Sequence, residues 1–568
     1  MRDIIIPQVN ETQEFIEIAF DFSNPLDLVR EAISNAFDAM ATEIIIDFST
    51  IDRCGKKVLK IELKDNGQGM DLKGLKSFFD LGNSMSRGNE EKIGEKGHGT
   101  KVYINSDKIE VRTQKDGILY NAVMIEPKYR LYEGKVPTVE VDSKLVNSVE
   151  TWTHIVIIGY NNDDRRKFTH EQLKDYILWF TKMGSIEREF NIDKYSNVIL
   201  KLKGVDRKKQ LGYEVIKFGH VFPEESLSVE KLLDSYMVNA PKYHCKRWKF
   251  EGTLEHAPEV EYQAVFYIEG VRVKYSYNDM IKRSGYKAPV GAYTIQERYG
   301  IWLCKDYMPI QRKNEWITKK GSEYTRFHAF INCQELKLTA NRGSVENTPS
   351  EVMQDLQTAV EKMYESILSS SEWFDIDYLE SEANAYNTLE KEEKDYSKRI
   401  ALVNKAKIST YKGIHLVEPQ KEQGVFGLYM QISQVEPELF PFTIVDYDTH
   451  SGIDVIVREK NKSLPLKKDT LYYVEFKNIL ERNFNHSFKH LHNIICWETK
   501  LINGDEVEDV AKKKRIMRIV PPENEADYTH YYLDSPRENL KIEIFVLKEY
   551  LKEKLGIDFK QRTAKDCF

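Results

Sequence analysis

Glu31, Asn35 and Asp38 stand at i, i+4 and i+7 in the stretch from Leu28 to Met40. Wound as a helix, they form one polar stripe, and Val29, Ile33, Ala36, Phe37 and Met40 fall on the opposite, apolar side. A carboxylate and a carboxamide one turn apart suit hydrolysis, because the acid can take a proton from water while the amide oxygen holds a cation. An amphipathic helix with a wet face explains the same pattern. A second set lies near the other end of the chain. Asp454 begins an apolar run, Asp454 to Val457, and Glu475 and Lys477 share one face of the strand Leu471 to Lys477. Two acids can hold a divalent cation, and a lysine beside them can orient or deprotonate water. An ion pair on a solvated strand face is the ordinary source of Glu-x-Lys.

The elements around these residues are legible. Asn24 offers a cap and Pro25 a first helical position. Glu43 to Phe48 and Lys57 to Lys64 read as strands joined by a turn at Asp52 to Gly55. Asp65-Asn66-Gly67-Gln68-Gly69-Met70 follows, so Asp65 sits where the chain leaves the sheet. A buried acceptor left unpaired without ligand discriminates strongly for an amine. A short helix through Leu75, Phe78 and Phe79 leads into a polar loop, Gly82 to Glu91. Then comes Ile93-Gly94-Glu95-Lys96-Gly97-His98-Gly99-Thr100-Lys101. Glycines opening a helix free backbone N–H groups to cradle phosphates. Ile109 to Thr113, Gly117 to Ile125, Thr138 to Val141 and Glu150 to Ile157 read as strands, and Phe168 to Arg188 as a helix.

The stretches Leu28 to Met40, Asp65 to Met70 and Ile93 to Lys101, in this order and spacing, resemble the ATP-binding domain of the GHKL superfamily, and the form from Gly94 to Lys101 looks closer to its prokaryotic MORC-like and MutL-like members than to histidine kinases. The resemblance implies ATP with Mg²⁺ as cofactors and an ATPase. Glu31 would activate water, Asn35 coordinate the metal, with Asp38 beside it, and Asp65 accept from the adenine amino group. Gly67, Gly69 and Met70 would let the backbone approach the base. Gly94, Gly97, His98, Gly99, Thr100 and Lys101 would surround the phosphates. Thr153, or Thr151, would support Asp65, although Trp152 stands where the family usually has glycine. A homodimer through the ATP-binding domain is implied as well. The next region resembles a transducer domain, in which a loop cation reaches the γ-phosphate. Lys305, Arg312, Lys313 and Arg342 are candidates, with Lys313 preferred. The C-terminal set resembles the PD-(D/E)XK nuclease core, with metal ligands Glu422, Asp454 and Glu475 and catalytic Lys477. A helix over Phe488 to Asn493 would carry cations toward DNA, and His486, His490 and His492 read as its surface.

The fold class expected is α+β and α/β in several domains. These are a GHKL α/β sandwich (1–205), a transducer-like α/β domain (206–350), a helical linker (351–412) and a restriction-endonuclease-like α/β domain (413–568). At 568 residues the chain is too long for one core. A net charge of −7 gives no global basic signal for nucleic acid. Six cysteines without paired spacing argue against a disulfide framework or zinc knuckle, and no apolar run suits a membrane span. The expectation is a cytoplasmic protein that couples ATP-driven dimer closure to DNA binding or cleavage, in prokaryotic defence or DNA transactions. A chaperone-type protein clamp and a non-cleaving DNA clamp stand as alternatives.

Overall fold

The computed structural model describes residues 10–20, 24–80, 99–226, 228–317, 322–339, 343–448, 454–460, 471–536 and 540–562. Gly94, Gly97, His98 and Arg342, and the loop before Thr100, lie outside them. The chain divides into two compact units, Met1–Asn387 and Thr388–Phe568.

The first unit holds two sheets. The larger comprises β1 (Glu43–Arg53), β2 (Lys56–Asp65), β3 (Lys108–Lys115), β4 (Ile118–Ile125), β5 (Val139–Leu145), β6 (Trp152–Ile158), β7 (Ile199–Lys203) and β8 (Glu214–Lys217). Their order is β5-β4-β3-β6-β2-β1-β7-β8. β8 carries this sheet past the boundary expected near 205. Cys54 and Gly55, both at positive φ, close the β1–β2 hairpin, the conformation that suits a two-residue turn between twisted strands. The helices Asp27–Asp38 and His170–Phe180 bury Leu28, Val29, Ile33 and Phe37, and Leu173 and Ile177, against strand residues Ile44, Ile46, Ile61 and Ile157.

Two helical expectations need correction here. The first helix begins at Asp27, with Leu26 rather than Asn24 at its cap; the Asn24 carboxamide accepts instead from Leu26 N at 3.2 Å, in the turn before it. The segment Phe168 to Arg188 is not one helix. Thr181 adopts extended backbone (φ −124°, ψ 165°) and separates His170–Phe180 from the short Glu187–Phe190. The break lets Lys182 Nζ reach the Asp306 carbonyl at 3.0 Å and Ile186 N the Tyr307 carbonyl at 3.2 Å, both on the second sheet's hairpin.

That second sheet is β9 (Cys245–Thr253), β10 (Glu261–Glu269), β11 (Gly300–Lys305), β12 (Met308–Arg312) and β13 (Phe327–Cys333), in the order β12-β11-β13-β10-β9. Arg312 therefore ends a strand and is not in a loop: Asp306 and Tyr307, both at positive φ, turn the chain straight back. β10 and β13 are buried on both faces. Ala264, Phe266, Ala329 and Ile331 meet Leu356, Val360, Tyr364 and Ile367 of the helix Ser350–Leu368. Val265, Tyr267 and Phe330 on the other face meet Trp179 and Ile186. The helix Ser350–Leu368 is thus part of a core, and so is the start of the following helix, Ser371–Lys405, through Trp373 and Ile376.

Between the two sheets runs a buried polar chain. His220 Nδ1 faces the carbonyls of Leu178 and Gly184 at 2.9 and 3.2 Å, and its Nε2 lies 2.9 Å from His328 Nε2. His328 Nδ1 lies 2.6 Å from Glu269 Oε1, and the Tyr277 hydroxyl donates to Glu269 Oε2 at 2.8 Å. Burial pushes both imidazoles below their ordinary range.

The second unit has a small sheet of β14 (Lys407–Tyr411), β15 (Ile414–Val417) and β24 (Lys560–Gln561). Its large sheet runs β16 (Phe442–Asp448), β17 (Asp454–Glu459), β18 (Tyr472–Leu480), β19 (Leu491–Thr499), β23 (Ile542–Val546), β22 (His530–Asp534), β21 (Lys514–Val520) and β20 (Glu506–Glu508). β16 to β18 form an antiparallel meander, and β19 lies parallel to β18. The helices Glu422–Val435 and Leu547–Leu555 bury Val425, Leu428, Ile432 and Leu551 against Val455, Val474 and Phe476. The helix expected over Phe488 to Asn493 is absent. Phe488–His490 is a 3₁₀ turn and Leu491 already begins β19. A run of Ile and Cys after Asn493 alternates poorly but suits a strand buried on both faces.

Leu356→Ala removes a fully buried side chain from the second sheet's helix. It is expected to destabilise the first unit by about 2–5 kcal/mol, read as a lower melting temperature. An unchanged melt would return this helix to the role of solvated linker.

Candidate active site

Asp65 is the last residue of β2, and its partner in register across the antiparallel pair is Thr153 of β6. Both line a cavity of ≈ 230 Å³ with Asn35, Ala36, Gly69, Met70, Phe78, Thr100, Tyr103 and Ile155. Thr113 of β3 faces Thr153 in turn, with their hydroxyls 3.3 Å apart, and accepts from Met70 N at 2.8 Å. Three adjacent strands thus place one carboxylate and one hydroxyl at the cavity wall, with the Thr113 hydroxyl beside that of Thr153. Thr113 escaped the sequence reading, yet a signal existed. It continues the alternation of Ile109 and Val111, so it is a threonine on an otherwise aliphatic, buried face.

The glycines after Asp65 are required by the protein itself. A Cβ on Gly67 would sit 2.7 Å from Ala39, and one on Gly69, at φ +65°, would sit 2.1 Å from the Gln114 carbonyl. The close approach expected toward a base is thus first an approach to neighbouring backbone. Gly67 N donates to Asp65 Oδ1 at 2.9 Å. Burial nevertheless pushes the Asp65 carboxyl up to about 6, against that single backbone N–H.

Asn35 lines the cavity and adjoins the Tyr103 phenol. Glu31, one turn earlier, is buried, and the Arg30 guanidinium lies 3.6 Å from it and 3.5 Å from Asp27. Tyr176 donates to Asp27 at 2.6 Å. Asp38 does not join this group: it lies near the Tyr195 phenol and is not among the cavity's lining residues. Gly99 opens a 3₁₀ turn, Gly99–Ile104, where a helix was expected. Lys101 in that turn is buried and gives its ammonium hydrogens to the Phe78 carbonyl at 2.9 Å and the Thr100 hydroxyl at 2.8 Å. Burial lowers it to about 8. Lys313 is also outside the lining set, with Glu315 3.5 Å from its ammonium. Lys305 donates to the Leu336 carbonyl and Arg312 to that of Gln296.

In the second unit, the Lys477 ammonium lies 2.5 Å from Glu475 and 3.3 Å from Glu422 on the helix Glu422–Val435. Asp454 stands opposite Glu475 in the β17–β18 register. Burial lowers the Lys477 ammonium, but the two carboxylates outweigh it and hold it above its ordinary value. His486, read from sequence as helix surface, lies in a loop with Nε2 3.4 Å from Glu475 Oε1. His492 stacks on Tyr472 at 4.4 Å. Spacing could not foretell the first contact, because the chain must double back after β18 to make it.

Asp65 supplies a prediction with a definite sign. Its folded value is about 6 against an ordinary 3.8, so the folded state holds a proton that the unfolded chain releases. The penalty is fully present above pH 6 and fades as pH falls toward 3.8. Asp65→Asn keeps the oxygen that Gly67 bonds, so it is expected to raise the melting temperature of the ligand-free protein at pH 7. The difference, on the order of 3 kcal/mol, should shrink toward pH 4 in melts run across that range.

No curated protein matches the chain. Residues 25–150 match the family model described as Histidine kinase-, DNA gyrase B-, and HSP90-like ATPase. This stretch, which carries Glu31, Asn35 and Asp65, is therefore a GHKL-type ATPase domain and supports ATP binding and hydrolysis.

Proposed function

We propose that the chain is an ATP-driven clamp of the MORC-like or MutL-like kind, in which hydrolysis at the first sheet governs closure of a homodimer on DNA. The observation that carries this reading is the pairing of Asp65 with Thr153 at a cavity that Asn35 also lines. Asp65, ionised, accepts from the adenine amino group, and burial makes an unpaired amine acceptor there costly. Thr113 and Thr153 fix the wall behind it. Asn35 offers a hard oxygen of the sort Mg²⁺ prefers, and the bound ion would screen the β- and γ-phosphates. Glu31 takes a proton from the water that attacks the γ-phosphorus, and ADP leaves. The glycines from Gly94 to Gly99 donate backbone N–H groups to the phosphates, and Lys313 is the proposed reporter of the γ-phosphate.

For the second unit we infer a PD-(D/E)XK-type site. Support comes from Glu422, Glu475 and Lys477 meeting, with Asp454 opposite in register. Three carboxylates fit a hard divalent cation, which would stabilise charge on a scissile phosphate. Lys477, held cationic by its neighbours, orients water and offsets charge rather than taking a proton. One observation favours the alternative of a DNA clamp that does not cut: the segment expected as a cationic helix is a 3₁₀ turn running into a strand. Prokaryotic defence or another DNA transaction is the setting this combination suits.

Glu31→Ala is expected to bind ATP normally and to lose at least about 10²-fold in turnover, measured by phosphate release. Asp65→Asn should lose nucleotide binding altogether. In the unaltered protein, affinity should fall as pH drops below about 6, because adenine needs the ionised carboxylate. Incubation with Mg²⁺ or Mn²⁺ and plasmid, linear or single-stranded DNA tests the second unit. Cleavage lost in both Glu475→Ala and Lys477→Ala supports the nuclease; binding without cleavage in the unaltered protein leaves the clamp.

A further inference from the structure

The helix Ser371–Lys405 changes character along its length. Trp373, Ile376, Leu379 and Ala383 are buried, but from 384 to 405 every residue is exposed. An isolated helix of this length, roughly 30 Å, is marginal in water. Its own ion pairs, Glu390 with Lys394 and Asp395 with Lys398, are weak surface contacts. Yet the exposed part carries large apolar side chains in one register. Tyr386, Leu389, Tyr396, Ile400 and Val403 are 48, 65, 63, 42 and 47% exposed. With Glu393 they are spaced 3, 4, 3, 4 and 3, the a and d positions of a heptad repeat.

We propose that this stripe is a coiled-coil seam that pairs antiparallel with the same helix of a second copy of this chain. The charges choose both the partner and the direction. In a parallel pair, Glu393 at an a position would face its own copy, a like-charge contact in the seam. Antiparallel, each a position meets a d position. Tyr386 then packs against Val403, Leu389 against Ile400, and Glu393 against Tyr396, whose hydroxyl can donate to the carboxylate. Glu392 and Arg399, both exposed, occupy g positions one heptad apart. Antiparallel g positions flank each other, so Glu392 of either copy meets Arg399 of the other, twice per pair. In a parallel pair these residues would face Ser397 and Asn404 instead. The seam is short, so the dimer it makes is weak and concentration-dependent, and it exists without nucleotide.

The test is sedimentation of the full-length protein across micromolar concentrations, without nucleotide or metal. That keeps it separate from the ATP-driven association proposed above, and either can fail while the other stands. A reversible dimer is expected. Leu389→Glu with Ile400→Glu should weaken it by at least roughly tenfold, with an unchanged thermal melt because both side chains are exposed. Glu392→Arg and Arg399→Glu should each weaken it, and the two together should restore it. A monomer at every concentration overturns the proposal. So does a dimer indifferent to Leu389→Glu with Ile400→Glu, or charge reversals that fail to rescue one another.

Discussion

A carboxylate at the end of a strand, half-buried at a cavity wall with one backbone N–H for company, governs the amino-terminal unit. Asp65 has to be an acceptor at a largely apolar cavity wall, and that demand fixes what surrounds it. β2 must end where β6 presents Thr153. The chain must then turn through Gly67 and Gly69, pressed against Ala39 and Gln114, where no side chain fits. Thr113 must take Met70 N so that the turn leaves no buried donor behind. A charged group held at about 6 is poised, since small changes in its partners alter its charge near neutrality. The ATPase domain therefore carries a local instability at the point where a ligand has most to offer.

The helix Asp27–Asp38 shows how far periodicity reaches. Its spacing put Glu31 and Asn35 on one side and Val29, Ile33 and Phe37 on the other, and burial agrees. Strands of the first sheet were legible for the same reason, as period-two alternation against one buried face. What periodicity could not give was the third residue of the stripe. Asp38 sits in the last turn, where a small change of angle carries it toward Tyr195 and away from the cavity. Lys101 was also out of reach: its charge suggested a phosphate, but its aliphatic stem is buried and its ammonium hydrogens go to Phe78 and Thr100.

Errors elsewhere share a physical cause, the override of local pattern by tertiary burial. Phe168 to Arg188 has helical composition throughout, yet Thr181 is extended because Lys182 and Ile186 are claimed by the second sheet. Ser350–Leu368 looks like linker by composition and is core by contact. Asp306 and Tyr307 turn tightly without a glycine, so no turn signal marked Arg312 as a strand residue. Phe488 to Asn493 carries polar and basic side chains at helical spacing, but its successor strand is sandwiched between two apolar layers, and that burial decides the matter.

The contact between His220 and His328 has a consequence for the amino-terminal unit as a machine. His220 Nδ1 faces carbonyl oxygens and must carry hydrogen, so its Nε2 is bare. The nitrogen opposite must then supply the hydrogen between them, and the other side of His328 still faces a carboxylate. Burial favours neutral rings, so each ring has a single hydrogen to give, and the line from Leu178 and Gly184 through both imidazoles to Glu269 and Tyr277 works only while every neighbour stays in place. Drawing the second sheet away from the first would leave these polar atoms without partners in a dry interior. The two layers are therefore latched by hydrogen bonds as well as by apolar contact.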